Sequence, residues 1–342
     1  MAYQTFHIIK ISPLVIGLLT NVGIFLHAYP TLARLELRDS FPNTRLSTDG
    51  WGDLPLTAGT LQTEIPLGAT IERAYLYGSA LVGETVKDVV FADTFLPVNL
   101  ATIVSPNNAV ASTVVWDVTD IIQDNFVSEQ QDWSILEVED NEGEALVVVY
   151  SNADTIGNTS LIFDGGTTIG SEEVLIPFSP WNGGDFLFSA AISLGFQPST
   201  QVTRITVNTN STTNRILSQS AGGQDDSVNP DGGLITVGGV GDAPTNPNPA
   251  DGGFAPNAPR QDDEYYNLGL GNIEDATPFI QSGDTFVRLS LLTPSQDDNL
   301  FGLFVNQISL PGPPVTIHEP STLIGLFSVL FLPLLPKRQK WR

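Results

Sequence analysis

Ala145-Leu-Val-Val-Val-Tyr150 is a continuous apolar run of six residues, and its reading decides the fold. A short, β-branched, unbroken run of this kind reads as a central strand covered on both faces. Its neighbours in sequence agree. Thr70–Leu81 (Thr-Ile-Glu-Arg-Ala-Tyr-Leu-Tyr-Gly-Ser-Ala-Leu) reads as a strand with Tyr75 and Tyr77 on one face. Val114, Trp116 and Val118 alternate with Val115 and Asp117. Leu161-Ile-Phe163 runs into a turn at Asp164-Gly165-Gly166.

Further strands are expected at Phe186–Leu194, at Thr203–Val207 with Thr203, Ile205 and Val207 on one face, at 286–292, and at Leu300–Ile308. Helical periodicity is nearly absent beyond Ala33. One short helix is expected around 119–126, with Thr119 or Asp120 receiving first-turn N–H groups. Many short strands separated by turn residues indicate an all-β chain, a jelly-roll-like β-sandwich. Between Gln219 and Asp263 the residues are mostly turn formers, and within that stretch only Leu234–Val237 has strand character. The expected organisation is one large sandwich, residues 34–317, with a long Gly/Asp/Pro-rich insertion at 219–263, in preference to two domains divided near residue 140. Pro311-Gly-Pro-Pro314 forms a stiff linker after it.

The two ends differ from this body. Residues 1–33 read as a secretory signal peptide: Lys10 is their one formal charge, Ile11–Leu26 are apolar, and the small residues Ala28 and Ala33 suit cleavage. The last residues, 318–342, carry a short polar motif, an apolar helix at 323–335 interrupted by Pro333, and a basic end of Lys337, Arg338, Lys340 and Arg342. The apolar run lacks a polar face, which favours membrane insertion over burial in a globular core, with the basic end held on the cytoplasmic side.

Setting the ends aside sharpens the chemistry. The chain has 14 basic and 38 acidic residues, and the ends hold five basic ones (Lys10, Lys337, Arg338, Lys340, Arg342) and one acid (Glu319). The body is left with nine and 37, a net charge of −28. Nucleic acid and anionic lipid are excluded as partners, because phosphate contacts need clustered Lys and Arg. His7, His27 and His318 all lie in the ends, and there is no Cys. The body therefore has no Ser-His-Asp or Cys-His triad, no His or Cys zinc site and no disulfide. Lys87 is its one lysine. Stability has to come from a core, and roughly 280 residues are enough to build one.

The tail resembles the PEP-CTERM sorting signal of bacterial surface proteins: Glu319, Pro320, Ser321 and Thr322 match its motif, with His318 in place of the first proline, followed by the hydrophobic helix and the basic end. That resemblance implies recognition by an exosortase, a membrane transpeptidase that removes such tails, in organisms that make exopolysaccharide. The body is similar to a family of uncharacterised exported bacterial β-domains through Ala74-Tyr-Leu-Tyr77, Asp117-Val-Thr-Asp120, Gly143–Asn152, Asp262-Asp-Glu264 with Tyr266-Asn-Leu268, and Pro294–Asn299. It implies an exported β unit and brings no activity with it.

Three kinds of site are weighed. Asp225-Asp226, Asp231, Asp262-Asp263-Glu264 and Asp297-Asp298-Asn299 offer hard oxygen ligands for Ca2+, and Asp262, Asp263, Asp297 and Asp298 lie beside expected strands; the competing reading is a solvated acidic surface with turn-forming Asp. Trp181, in the loop-like Phe178-Ser-Pro-Trp-Asn-Gly-Gly184, and Trp51 are candidate sugar-stacking platforms, with Trp116 and Trp133 assigned to the core. Glu72, Asp93, Glu137, Glu144 and Asp164 are the carboxyl groups from which a glycan-cleaving pair would be drawn. The expectation is a non-enzymatic exported protein of a bacterial cell surface or extracellular matrix, structural or adhesive with exopolysaccharide. A calcium-dependent carbohydrate-binding module and a glycan-cleaving enzyme are the alternatives.

Overall fold

The computed structural model describes residues 34–52, 57–105, 111–139, 141–167, 170–193, 202–222, 235–247, 264–293 and 299–309. All belong to one compact unit, Ala33–Arg342. The signal peptide and the C-terminal sorting tail lie outside the described residues, and no described helix is long and apolar enough to cross a membrane.

Strand β1 (Glu36–Pro42) is followed by nine strands: β2 (Arg45–Trp51), β3 (Ala58–Glu64), β4 (Thr70–Ala80), β5 (Val89–Phe91), β6 (Thr94–Leu96), β7 (Thr102–Ser105), β8 (Ser112–Asp117), β9 (Gln130–Glu137) and β10 (Gly143–Ser151). These nine form two antiparallel sheets, in the orders β2-β10-β4-β8-β7 and β3-β9-β5-β6. The chain then makes β11 (Asn158–Asp164), β12 (Gly170–Pro177), β13 (Phe186–Ser193), β14 (Thr203–Asn208), β15 (Arg215–Ala221), β16 (Ile235–Val237), β17 (Tyr265–Asn267), β18 (Phe286–Thr293) and β19 (Asn299–Ser309). With β1 these form a third sheet, β1-β11-β19-β13-β16 with β17 also on β13, and a fourth, β12-β18-β14-β15.

The same pairing order occurs twice. Replacing β2, β10, β4, β8 by β11, β19, β13, β16, and β3, β9, β5, β6 by β12, β18, β14, β15, maps one pair of sheets onto the other. The four sheets pair off as two sandwiches within the one compact unit, and the chain passes between them twice, from β1 to β2 and again at 152–157. Within the 219–263 stretch the strand expected at Leu234–Val237 is formed as β16, where Ile235–Val237 pairs with Ala191–Ser193.

Three cores follow from strand alternation. In β10, Leu146, Val148 and Tyr150 join Trp116, Trp133 and Phe91 inside the first sandwich. Its other face, Ala145, Val147 and Val149, joins Tyr75, Tyr77, Ile162, Phe301 and Phe304 in a core between the sandwiches. That is the two-sided burial expected of residues 145–150. The second sandwich closes over Phe186, Phe188, Ile205, Val207, Leu289 and Leu303.

A polar network ties β4 to the second sandwich. The Tyr77 hydroxyl donates to Asp164 Oδ2 at 2.9 Å, which also accepts from Arg38 Nε, and the Tyr75 hydroxyl donates to Asp39 at 2.5 Å. Burial pushes the Asp164 carboxyl up, and the Arg38 guanidinium pulls it back. Helix α1 (Thr119–Asn125) occupies the expected place, but its start differs from expectation: Val118 stands at the N-cap with no side-chain bond. The Asp117 carboxylate instead accepts from Thr119 N and Oγ1, at 3.0 and 2.5 Å.

Candidate functional site

A cleft of about 280 Å³ opens where the two sandwiches meet. The first sandwich supplies the start of β2 (Arg45, Leu46, Ser47, Thr48), the end of β3 and its turn (Glu64, Pro66), and Tyr150 of β10. The second supplies Leu187 of β13, Tyr265 of β17, and Asn306 and Gln307 of β19. Residues Gly239, Val240 and Asp242, just beyond β16, close the remaining side.

The floor is a buried hydrogen-bonded seam. Thr48 Oγ1 lies 3.1 Å from Ser189 Oγ and donates to Gly238 O at 2.7 Å, and Ser189 Oγ donates to Asn306 Oδ1 at 2.8 Å. Val240 N donates to Thr48 O at 2.9 Å, so a segment that belongs to the second sandwich in sequence is bonded to the first. Gly239 permits this approach: a Cβ there would collide with the Thr48 carbonyl oxygen. Its N–H is taken by Asp242 Oδ2 at 2.7 Å, which fixes that carboxylate in the wall.

The walls carry one cation, two carboxylates and two phenols. Burial raises the Tyr150 hydroxyl, with the Arg45 guanidinium pulling it down and Glu64 pushing it up. Burial likewise raises Tyr265 to about 12, helped by Tyr150, Asp185 and Asp242 and opposed by Arg45. Both phenols stay neutral near pH 7, each a donor and an acceptor on an aromatic body. Arg45 Nε is buried with no hydrogen-bond acceptor. Behind the wall, burial takes Asp49 to about 7, against the pull of the Gln62 and Gly50 backbone N–H groups.

The structure places the sequence-derived candidates elsewhere. Trp181 and Trp51 are 3% and 5% exposed, so the sugar-stacking reading of both is corrected here: their faces are covered by protein. Trp181 packs against Phe178 and Phe186, ring centres 5.8 and 6.3 Å apart, as its backbone N–H donates to Asp284 O at 2.7 Å and folds the loop inward. Trp116 and Trp133 are core residues, as expected. Asp262, Asp263, Asp297 and Asp298 lie outside the described residues, as do Asp225, Asp226, Asp231 and the motif Glu319, Pro320, Ser321 and Thr322. Glu264 is buried, and its carboxylate accepts from Gly222 N at 2.5 Å. Among the described residues no group of three or more His, Cys, Asp or Glu is arranged to hold a metal ion.

Of the five candidate catalytic carboxyls, one pair comes together. Asn141 N donates to Glu137 Oε2 and Asn141 Nδ2 to Glu144 Oε1, both at 3.1 Å, and the two carboxyl groups hydrogen-bond each other. Direct contact is closer than the ~5–5.5 Å that a retaining pair needs to flank a sugar. Glu144 is fully buried, so this pair is out of reach of a glycan. Glu72 accepts from Ser151 Oγ, Asp93 sits in the β5–β6 turn at φ 62°, and Asp164 is in the seam with Arg38.

The cleft itself was not singled out from the sequence. Its side chains come from seven separate segments, and the one local hint was Tyr150, a polar-tipped residue ending the apolar run. No family model matches this chain, and no curated protein matches it. Among solved structures the chain is similar to the major capsid protein P2 from bacteriophage PM2, with 14% identity over 78% of this chain and 99% of that one, at a TM-score of 0.23.

Proposed function

We propose that this is an exported protein of a bacterial cell surface or extracellular matrix, sorted by an exosortase-type enzyme and holding exopolysaccharide in a structural or adhesive, non-enzymatic role. The observation that supports it most is the order of features after residue 317: Glu319-Pro-Ser-Thr322, an apolar stretch at 323–335, then four basic residues. The N-terminal 33 residues fit the same route. The body fits the same setting, with a net charge of −28, no His and no Cys. We read each sandwich as a jelly roll, on the strand orders β2-β10-β4-β8 over β3-β9-β5-β6 and their recurrence in the second half.

The test is the intact mass of the protein isolated from its host. Removal of residues 1–33 and of the segment after about Pro320 is expected, and a mass that still includes Arg342 refutes the sorting. Co-sedimentation with polysaccharide from the producing organism, with calcium and with chelator, separates the adhesive role from the calcium-dependent one. In the calcium-dependent case chelator abolishes binding, and the loop acids 225–298 supply the ligands.

A further inference from the structure

We infer that one end of the body is a membrane-facing surface, whose loop tips Leu67, Val127, Ile156, Leu270 and Ile273 rest in the interface of the bilayer that takes up residues 323–335. The inference rests on the sorting role proposed above, and adds how the body is seated while the tail is still attached.

Strand pairing fixes which loops share this end. β10 finishes at Ser151 opposite Thr70, the start of β4, so the turn at 66–69 and the crossing at 152–157 lie side by side. Leu67 N donates to Glu129 Oε1 at 3.4 Å, which brings the loop carrying Val127 against that turn. In the second sandwich Asn158 lies opposite Ser309, and Phe186 opposite Ile308. Leu268 N donates to Phe186 O at 2.9 Å and Phe279 N to Leu270 O at 3.1 Å, so the loop with Leu270 and Ile273 emerges beside them. Pro66 of the first sandwich and Gln307 of the second line one cleft, so the two ends adjoin.

The most exposed large apolar side chains among the described residues are Ile273, Val127, Leu100, Ile156, Ile103 and Leu67, from 81% down to 61%. Four of these six stand on loops of this end, and the other two lie beside and on the edge strand β7. Aliphatic tips on separate loops suit the boundary between headgroups and acyl chains, where each can enter alone.

What covers them follows from where the chain leaves. Ser309, the last residue of β19, is at this end, opposite Asn158 and so beside the crossing that carries Ile156. Residues 310–322, about 45 Å at full extension, separate it from the apolar run at 323–335. The chain enters β1 at the other end, where Glu36 lies opposite Asp164. A second copy is a poor occupant, since it would bring another body of net charge −28. Glu129, Asp154 and Glu274 are exposed among the tips, which favours zwitterionic headgroups over anionic ones. Seated this way, the body keeps Glu319–Thr322 at the membrane surface.

The experiment uses the full-length chain in phosphatidylcholine vesicles. The chain has no Cys, so each introduced one takes a single environment-sensitive fluorophore. Leu67→Cys, Val127→Cys, Ile156→Cys and Ile273→Cys report on the loops, Thr85→Cys on the opposite end, and Ser328→Cys on the tail. Nitroxide-bearing lipid is expected to quench the four loop labels severalfold more than the Thr85 label. With the label at Leu67, the combined variant Val127→Ser, Ile156→Ser, Ile273→Ser should lose most of that quenching at an unchanged melting temperature. Loop labels quenched no more than Thr85, or a serine variant that behaves like the parent, would overturn the surface. Blue-shifted loop emission that nitroxide lipid leaves unquenched would also overturn it, by assigning the face to a second copy. Quenching at Ser328 without quenching at the loops refutes the surface alone. Quenching at the loops without quenching at Ser328 refutes the membrane tail alone.

Discussion

Glu144→Gln is expected to make the protein progressively more stable than its parent as pH rises above 4.5. Glu144 is fully buried at the start of β10, beside Glu137 and Asn141, and near the loop that carries Glu139 and Glu142. Lys87 spends its ammonium on the exposed Glu139 at 3.7 Å. Its backbone N–H meets Asn141 Oδ1 at 2.8 Å, so no cation offsets the buried pair. Burial pushes the Glu144 carboxyl well above 4.5, the Glu137 carboxylate pushes it further, and the Asn141 amide opposes both.

The sign follows from proton binding. In the unfolded chain Glu144 loses its proton near 4.5, whereas the folded protein keeps it. Across the interval between 4.5 and the higher folded value the native state holds the extra proton. Stability therefore falls with rising pH at up to about 1.4 kcal/mol per pH unit. A glutamine keeps the shape, donates its amide to Glu137, accepts from Asn141 and has no proton to lose. From pH 4.5 to 6.5 the stability difference should grow by up to about 3 kcal/mol, or roughly 6–12 °C in Tm for a domain of this size. Asp49 and Glu172, both raised to about 7 by burial, give parent and variant the same pH slope and cancel in the difference. Urea denaturation at half-unit pH steps measures it. Parallel curves for the two proteins over this interval would refute the shared-proton reading.

Two further changes probe the frame. Phe304→Ala, in the core between the sandwiches and 5.5 Å from the Tyr77 ring, should cost about 3–5 kcal/mol in urea denaturation; a cost under about 1 kcal/mol would mean that this core does not join the halves. Gly165→Ala places a Cβ against the Arg34 carbonyl at φ +152°, and should lower stability by about 1–3 kcal/mol with a matching drop in Tm; an unchanged Tm would contradict the close passage of the N-terminal strand.

Strands were legible in the sequence wherever one face is apolar. The Thr203, Ile205, Val207 and Val287, Leu289, Leu291 alternations became β14 and β18, and the run at 145–150 became a strand with a core on each side. Strand β2 was not legible, because the middle of its buried run, Ser47, Thr48 and Asp49, is polar. Ser47 accepts from Glu64 N at 2.9 Å, Asp49 accepts from Gln62 N, and Thr48 belongs to the seam. Such residues signal a loop in sequence, and only a second strand supplying donors makes them a strand. The doubled topology was hidden for a related reason: it lies in the order of pairing, which no local periodicity encodes. Trp181 was misread because a Pro- and Gly-flanked aromatic looks exposed until a distant carbonyl, Asp284 O, turns it inward.

The location of the cleft follows from how the halves are joined. Two sandwiches pressed together by apolar faces alone would seal along Val147, Val149, Ile162 and Phe304. At the edge of that core the contact changes character, to Thr48, Ser189 and Asn306, side chains short enough to bring backbones close but too short to fill the space beyond them. The segment after β16 bonds across the junction at Thr48 and holds Asp242 in place. Arg45 and Tyr150, directly paired across β2 and β10, stand on the far side with Tyr265 opposite. The same seam that spans the junction thus sets the distance between the walls. A change at Thr48 or Ser189 moves the cleft walls as well as weakening the joint, while a change at Arg45 alters what the cleft offers without touching the seam.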